Sequence, residues 1–244
     1  MPQFEYDSIS IHYEVRGGGF PVLLLAPGAM ESAIDRWEGA TLNPLALYAD
    51  AFRLIAMDQR NAGRSFGPLA ASDPWGAYAD DQLALLDHLG IDRFHVIGAC
   101  IGGSFALKLM ERAPTRVSAA VLEQPVGIST TNRPLYEQMW RSWGARLSTR
   151  PDLSPEEIEN FGTRMWHGDF VVSVSRDFVR SCHTPLLVLP GTDRYHPAAT
   201  GREIAALAPN GRVIDPWNDS HDHAADAADA VRSFLQAYAP GQEP

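Results

Sequence analysis

The segment Gly98-Ala99-Cys100-Ile101-Gly102 constrains this chain more than any other. An apolar run, Phe94-His95-Val96-Ile97, precedes it, and a helical run follows. A backbone that passes from strand to helix at one residue has no room for Cβ atoms on either side. Gly98 and Gly102, with Gly103 beyond, remove them. The pattern is G-x-S-x-G with sulfur in place of oxygen, in which the central residue is strained and its side chain is pushed outward. Cys100 is therefore the candidate nucleophile. A free cysteine is often an inert small hydrophobe, but a bend that forces the thiol outward suits that role poorly.

Around this bend, apolar runs alternate with helical segments. Ile9, Ile11, Tyr13 and Val15 alternate with polar residues, as in a half-exposed strand. Val22-Leu23-Leu24-Leu25 is a continuous apolar run, as in a strand covered on both faces. Further strands are predicted at 52–57, 117–122, 185–189 and 212–214. Helices are predicted from Trp75 to Leu89 before Gly90, from the Cys100 bend to just before Pro114, and from Ala224 to Tyr238. The alternation predicts an α/β fold with a mostly parallel central sheet and helices on both faces. It breaks between Pro125 and Cys182, where Tyr136, Met139, Trp140 and Trp143 recur at helical spacing. There Ser154-Pro155-Glu156-Glu157 starts a second helix through a capping box. The expected organisation is a core of residues 1–128 and 183–244 and a small helical cap of residues 129–182 over the sheet's carboxyl edge.

The 244 residues suffice for one large single-core domain. Lys and Arg number 20 and Asp and Glu 30, a net charge of −10 that argues against nucleic acid and anionic membranes as partners. Two cysteines are too few for a disulfide framework. A bond between them would bury the nucleophile, so Cys182 reads as a structural or surface thiol. The start of the chain lacks a basic and apolar signal region, and the run from Pro21 to Ala26 is far too short to span a bilayer. A cytoplasmic setting is the expectation. The histidines lack the spacing of a zinc helix, and no Gly-rich dinucleotide loop follows the first strand. Neither metal nor cofactor is expected; the expected partner is a small-molecule acyl substrate, and the oligomeric state is left open.

Four ordered motifs resemble those of the α/β-hydrolase superfamily. Ala26-Pro27-Gly28-Ala29-Met30 is similar to its His-Gly oxyanion turn, with Pro27 in place of histidine. Asp58-Gln59-Arg60-Asn61-Ala62-Gly63-Arg64-Ser65 is similar to its D-x-R-G-x-G-x-S loop, with Asn61 in place of glycine; asparagine is the best substitute in a left-handed conformation. The run from Pro185 to Gly191, followed by Asp193, resembles the strand that delivers the acid, and Ser220-His221 lies where the family's histidine lies. The resemblance implies the order nucleophile, acid, histidine. It also implies an oxyanion hole formed by the backbone N–H groups of Ala29 and Ile101.

Covalent catalysis by Cys100 needs a histidine to move protons and a carboxylate to hold it. His221 is the expected base, with His223 as its rival; Asp193 is the expected acid, with Glu123, at the end of the strand beginning at Val117, as its rival. His95 reads as a packed core residue, His167 as a cap residue, and His196 as one that could line the entrance. Met30, Tyr136, Trp140 and Trp143 are expected to contact substrate in a mostly apolar pocket. Arg60, Arg64 and Arg194 could meet an anionic group or serve as structural ion-pair partners. The elbow is similar to that of dienelactone hydrolase, whereas the rest of the chain is not close to it. The implied activity is therefore hydrolysis of an ester, thioester or lactone. An acyltransferase or cyclase using the same intermediate, or a non-catalytic receptor on this fold, are the alternatives.

Overall fold

In the computed structural model, which describes residues 2–129 and 131–240, the apolar runs assemble into one sheet. Met1, Thr130 and residues 241–244, at the edges of the expected segments, lie outside the described residues. The strands are β1 (Gln3–Tyr6), β2 (Ile9–Arg16), β3 (Pro21–Leu25), β4 (Arg53–Met57), β5 (Phe94–Ala99), β6 (Val117–Glu123), β7 (Leu186–Leu189) and β8 (Gly211–Val213). The helices are α1 (Pro44–Leu47), α2 (Pro74–His88), α3 (Ile101–Arg112), α4 (Arg133–Leu147), α5 (Pro155–Trp166), α6 (Arg176–Ser181), α7 (Ala198–Leu207) and α8 (His221–Ala237). The sheet order is β1-β2-β4-β3-β5-β6-β7-β8; β1 with β2 and β2 with β4 pair antiparallel, and every neighbouring pair from β4 onward is parallel.

Side chains alternate across each strand, so the sheet carries a core on either face. Leu25, Val96, Leu122 and Val188 meet Phe105 and Leu109 of α3 on one face. Leu24, Ile97, Val121 and Leu187 meet Val231, Phe234 and Leu235 of α8 on the other. Every residue of β5 and β6 is buried, which explains why their sequences are mostly apolar, with His95, Ser118 and Glu123 as the buried polar exceptions.

Helix ends follow local chemistry. The Asp73 side chain accepts the Gly76 N–H at the start of α2, and Pro74 occupies the first turn. The capping box at Ser154 and Glu157 forms as the sequence predicts. One end differs from expectation in a way that bears on the site. The Ser220 hydroxyl accepts the His223 N–H, so α8 begins at His221 and not at Ala224. Among the described residues between β6 and β7 the chain contributes α4, α5 and α6 and no strand of the sheet.

His95 is buried in β5, its ring packed 4.6 Å from Phe20 and 6.3 Å from Phe52. Neither ring nitrogen has a well-formed hydrogen bond among the described residues. Burial pushes its pKa down from 6.5 to about 4. The unfolded chain takes up this proton first, so His95 withdraws stability as pH falls from 6.5 towards about 4. Between neutral pH and about pH 5 the loss is roughly 2 kcal/mol. His95→Leu should therefore gain Tm relative to wild type on going from about pH 7.5 to pH 5. A Tm difference that is the same at both pH values would contradict a neutral buried imidazole.

Candidate active site

Cys100 makes the turn between β5 and α3 alone, with φ 57° and ψ −118°. A non-glycine residue in that region is strained and persists only where its surroundings hold it. Here the Cys100 N–H donates to the Glu123 carbonyl at 2.9 Å, and the Cys100 carbonyl accepts from Gly103 N–H at 3.1 Å. The flanking glycines are sterically required. A Cβ on Gly98 would lie 2.2 Å from the Gly102 carbonyl oxygen, and one on Gly102 would lie 2.0 Å from that of Leu25.

The thiol is half-buried and lines a cavity of about 440 Å³ together with Gly28, Asp35, Arg36, Glu123 and His196. It thus faces a lined cavity and not open space. Burial pushes the thiol pKa up. The neighbouring His196 imidazole and hydrogen bonds from the backbone of Gly28 and Ile101 pull it down, and the net shift is below the ordinary value.

The imidazole beside Cys100 belongs to His196. Its Nδ1 lies 2.8 Å from Oδ2 and 2.9 Å from Oδ1 of Asp193. Asp193 Oδ1 also accepts the backbone N–H groups of Tyr195, at 2.8 Å, and His196, at 3.0 Å. Burial raises the Asp193 pKa, but His196 and these two N–H groups bring it below the usual carboxylate value. His196 Nε2 is buried without a well-formed hydrogen bond among the described residues, so it is free to exchange a proton with the sulfur. Burial opposes a charged imidazole; Cys100 and Asp193 outweigh it and push the pKa up to about 9. The resting state these shifts favour is a thiolate–imidazolium pair.

The loop after β7 delivers both acid and base because it folds back on the strand end. Gly191 permits the approach: a Cβ there would lie 2.2 Å from the His196 Cβ. Asn132 Nδ2 donates to the carbonyls of Gly127, at 2.7 Å, and Arg194, at 2.8 Å. The Tyr136 hydroxyl donates to the Tyr195 carbonyl. The helical insertion therefore clamps the loop that carries His196.

Several expected positions are corrected. His221 is exposed in the first turn of α8. His223 is exposed beside it, with its Nδ1 2.5 Å from Asp219 Oδ1. Neither lines the Cys100 cavity. The reason is the early start of α8, which fixes both on a solvent-facing turn. The buried place between the β7 end and α8 is filled by Trp217, whose Nε1 donates to the Pro190 carbonyl at 2.7 Å. His196 was legible only as a lining residue; the missed signal was an Asp-x-x-His spacing in a glycine-led turn after a buried strand. Asp193 lies in the turn after β7 and holds His196, while its rival Glu123 has no hydrogen bond or ion pair with an imidazole among the described residues.

Of the two expected backbone donors, Ile101 hydrogen-bonds the Cys100 sulfur; Gly28, the residue before Ala29, does so as well. Gly28, at φ 117°, turns the chain just before the 3-10 turn Ala29–Glu31. Met30, Tyr136, Trp140 and Trp143 are buried core residues, and none of them lines the Cys100 cavity. Trp143 packs against Phe161 at 5.4 Å and Trp140 against Trp143 at 6.0 Å, so the aromatic face of the insertion is spent on its own packing. Tyr136 is nevertheless close enough to Cys100 for a thiolate there to push its phenol pKa up, after burial, the larger cause.

In the 58–65 loop, Asn61 is left-handed at φ 64°, as its substitution for glycine predicts. The buried Asp58 accepts the N–H groups of Ile34 and Arg64, each at 2.8 Å, and so anchors the 3-10 turn Ile34–Gly39 that walls the cavity. Arg60 is a structural ion-pair partner of the buried Asp81. Among the described residues, no group of three or more His, Cys, Asp or Glu is arranged to hold a metal ion, and no helix is long and apolar enough to cross a membrane.

Residues 21–178 match the family model described as alpha/beta hydrolase fold. The chain is 26% identical to N-formylmaleamate deformylase of Pseudomonas putida over 219 residues, 86% of this chain and 78% of that protein. It is 31% identical to the dihydrolipoyllysine-residue acetyltransferase component of the acetoin cleaving system of Cupriavidus necator over 147 residues, 60% of this chain and 38% of that one. Several curated relatives are spanned over only 38% to 64% of their own length. The solved meta-cleavage product hydrolase CumD of Pseudomonas fluorescens IP01 superimposes with a TM-score of 0.69 at 20% identity, over 94% of this chain and 95% of that one, a likeness of fold alone. The family match runs unbroken from β3 through the Cys100 turn into α6, and on that ground the chain belongs to the α/β-hydrolase fold family.

Proposed function

We propose that this protein is a hydrolase that cleaves an ester, thioester or lactone through Cys100, His196 and Asp193, by way of a thioester acyl-enzyme and without a cofactor. The observation that carries this reading is His196, which reaches Asp193 with Nδ1 and leaves a buried Nε2 facing the Cys100 sulfur. The thiolate attacks the carbonyl carbon, and the carbonyl oxygen gathers negative charge between the backbone N–H groups of Gly28 and Ile101. The tetrahedral adduct collapses as imidazolium Nε2 gives its proton to the leaving oxygen or sulfur. The neutral imidazole then takes a proton from water, the resulting hydroxide attacks the thioester, and the carboxylic acid leaves as the thiolate and imidazolium are restored. Asp193 holds the ring and stabilises its charge throughout.

Transfer to an alcohol, amine or thiol uses the same intermediate and differs only in the acceptor. Intact-mass measurement after mixing with p-nitrophenyl acetate separates the readings. The expected result is an acetyl adduct on Cys100 that water alone clears. An adduct stable in water and cleared by an added amine or alcohol would replace hydrolysis by transfer. No adduct, and no p-nitrophenolate release, would leave a receptor on a hydrolase scaffold.

A further inference from the structure

Glu123 ends β6, and its own carbonyl accepts the Cys100 N–H, so its side chain is anchored beside the reacting turn. The residue is 2% exposed and lines the Cys100 cavity. Its Oε1 has no hydrogen-bond partner among the described residues. A buried polar atom left unpaired destabilises the fold, and in a native structure it asks for an explanation. The cations nearby are already engaged: Arg36 with Glu31 and Asp35, and His196 with Asp193. The other groups around Glu123 are Cys100 in the cavity and Tyr48 behind it, with Arg232 over the Tyr48 ring.

Burial pushes the Glu123 pKa up to about 8, so at neutral pH the group is mostly a carboxylic acid. That form offers one O–H donor and one C=O acceptor in a plane. Its complement is a group with N–H and C=O side by side: a primary amide, a carbamate or a ureido group. An alkyl chain would leave Oε1 unpaired, and a carboxylate would set a second acid against the first.

We propose that Glu123 is a specificity residue in the wall of the Cys100 cavity, pairing its carboxyl with a planar amide-type group on the acyl part of the substrate. The inference rests on Cys100 being the nucleophile. It adds the chemical class of the acyl group and the residue that selects it.

The test compares p-nitrophenyl glutaramate with p-nitrophenyl hexanoate, acyl chains of matched length with and without a terminal amide. Wild type should favour the glutaramate in kcat/KM by about tenfold or more at neutral pH, mainly through KM. Glu123→Leu should bring the two substrates within about twofold of each other. Glu123→Gln keeps a donor and an acceptor, so it should retain the preference. It should also hold that preference to about pH 9, whereas the wild-type preference declines as Glu123 ionises through about 8. Using the ratio of substrates cancels the titration of Cys100 and His196, which serve both. A wild-type ratio near one, a ratio unchanged in Glu123→Leu, or equal losses on both substrates in the two variants would overturn the proposal. So would a Glu123→Gln ratio that declines with pH as wild type does, a reading that stands even if Glu123→Leu does not fold. Failure of the parent reading is seen separately, as turnover of the hexanoate by Cys100→Ala.

Discussion

Cys100→Ala should lower turnover of an activated ester by on the order of 10⁴-fold or more while leaving the folded state intact. The size follows from the role. Without Sγ there is no covalent intermediate, and the backbone N–H groups of Gly28 and Ile101 are left to polarise a carbonyl for attack by water. The fold should tolerate the change, because alanine keeps the backbone hydrogen bonds to Glu123 and Gly103 that hold the strained φ of 57°. A second readout is independent of turnover. The His196 pKa of about 9 is supported by the thiolate as well as by Asp193. In Cys100→Ala one of those two anions is gone, so the imidazole proton, followed by NMR, should titrate at lower pH. Turnover above about a thousandth of wild type, or an unmoved imidazole, would remove Cys100 from the centre of the site.

Replacing the histidines should separate them sharply. His196→Ala should cost on the order of 10³-fold to 10⁴-fold in kcat on an unactivated alkyl ester, because thiolate formation and leaving-group protonation fail together. His221→Ala and His223→Ala should each stay within about twofold of wild type, since both rings sit on an exposed turn away from the sulfur. Similar losses in all three would mean that the β7 loop does not supply the base. The pH profile follows from the same pair. Activity should rise as Cys100 loses its proton, below the ordinary thiol value, and fall as His196 loses its proton through about 9. The falling limb should disappear with a p-nitrophenyl ester, whose leaving group needs no acid. Its persistence there would assign the limb to another group.

Much of the fold was legible along the chain because the forces that shape it act locally. A short apolar run bounded by turn residues fits a strand covered on both faces, and the β3 run is one. The glycines around Cys100 marked a bend whose clearances the structure measures at 2.2 Å and 2.0 Å. Asn61 replaced a left-handed glycine and took its conformation. Amphipathic spacing identified the buried face of the insertion but not what that face meets. Trp140 and Trp143 meet each other and Phe161.

The choice of histidine was not local. Position along the chain favoured His221, yet Ser220 capped a helix there and Trp217 filled the buried space beside it. A three-residue step from Asp193, made possible by the bare Cα of Gly191, brought His196 to the sulfur. The sequence by itself determined the strands, the bend and the thiol at its apex, because steric exclusion and apolar burial are written residue by residue. Only the tertiary structure decided which imidazole faces that thiol, that Gly28 stands beside it, and that Glu123 is almost wholly buried in the cavity wall. Those outcomes depend on how separate segments pack in space and on how strongly that packing excludes solvent from each charge.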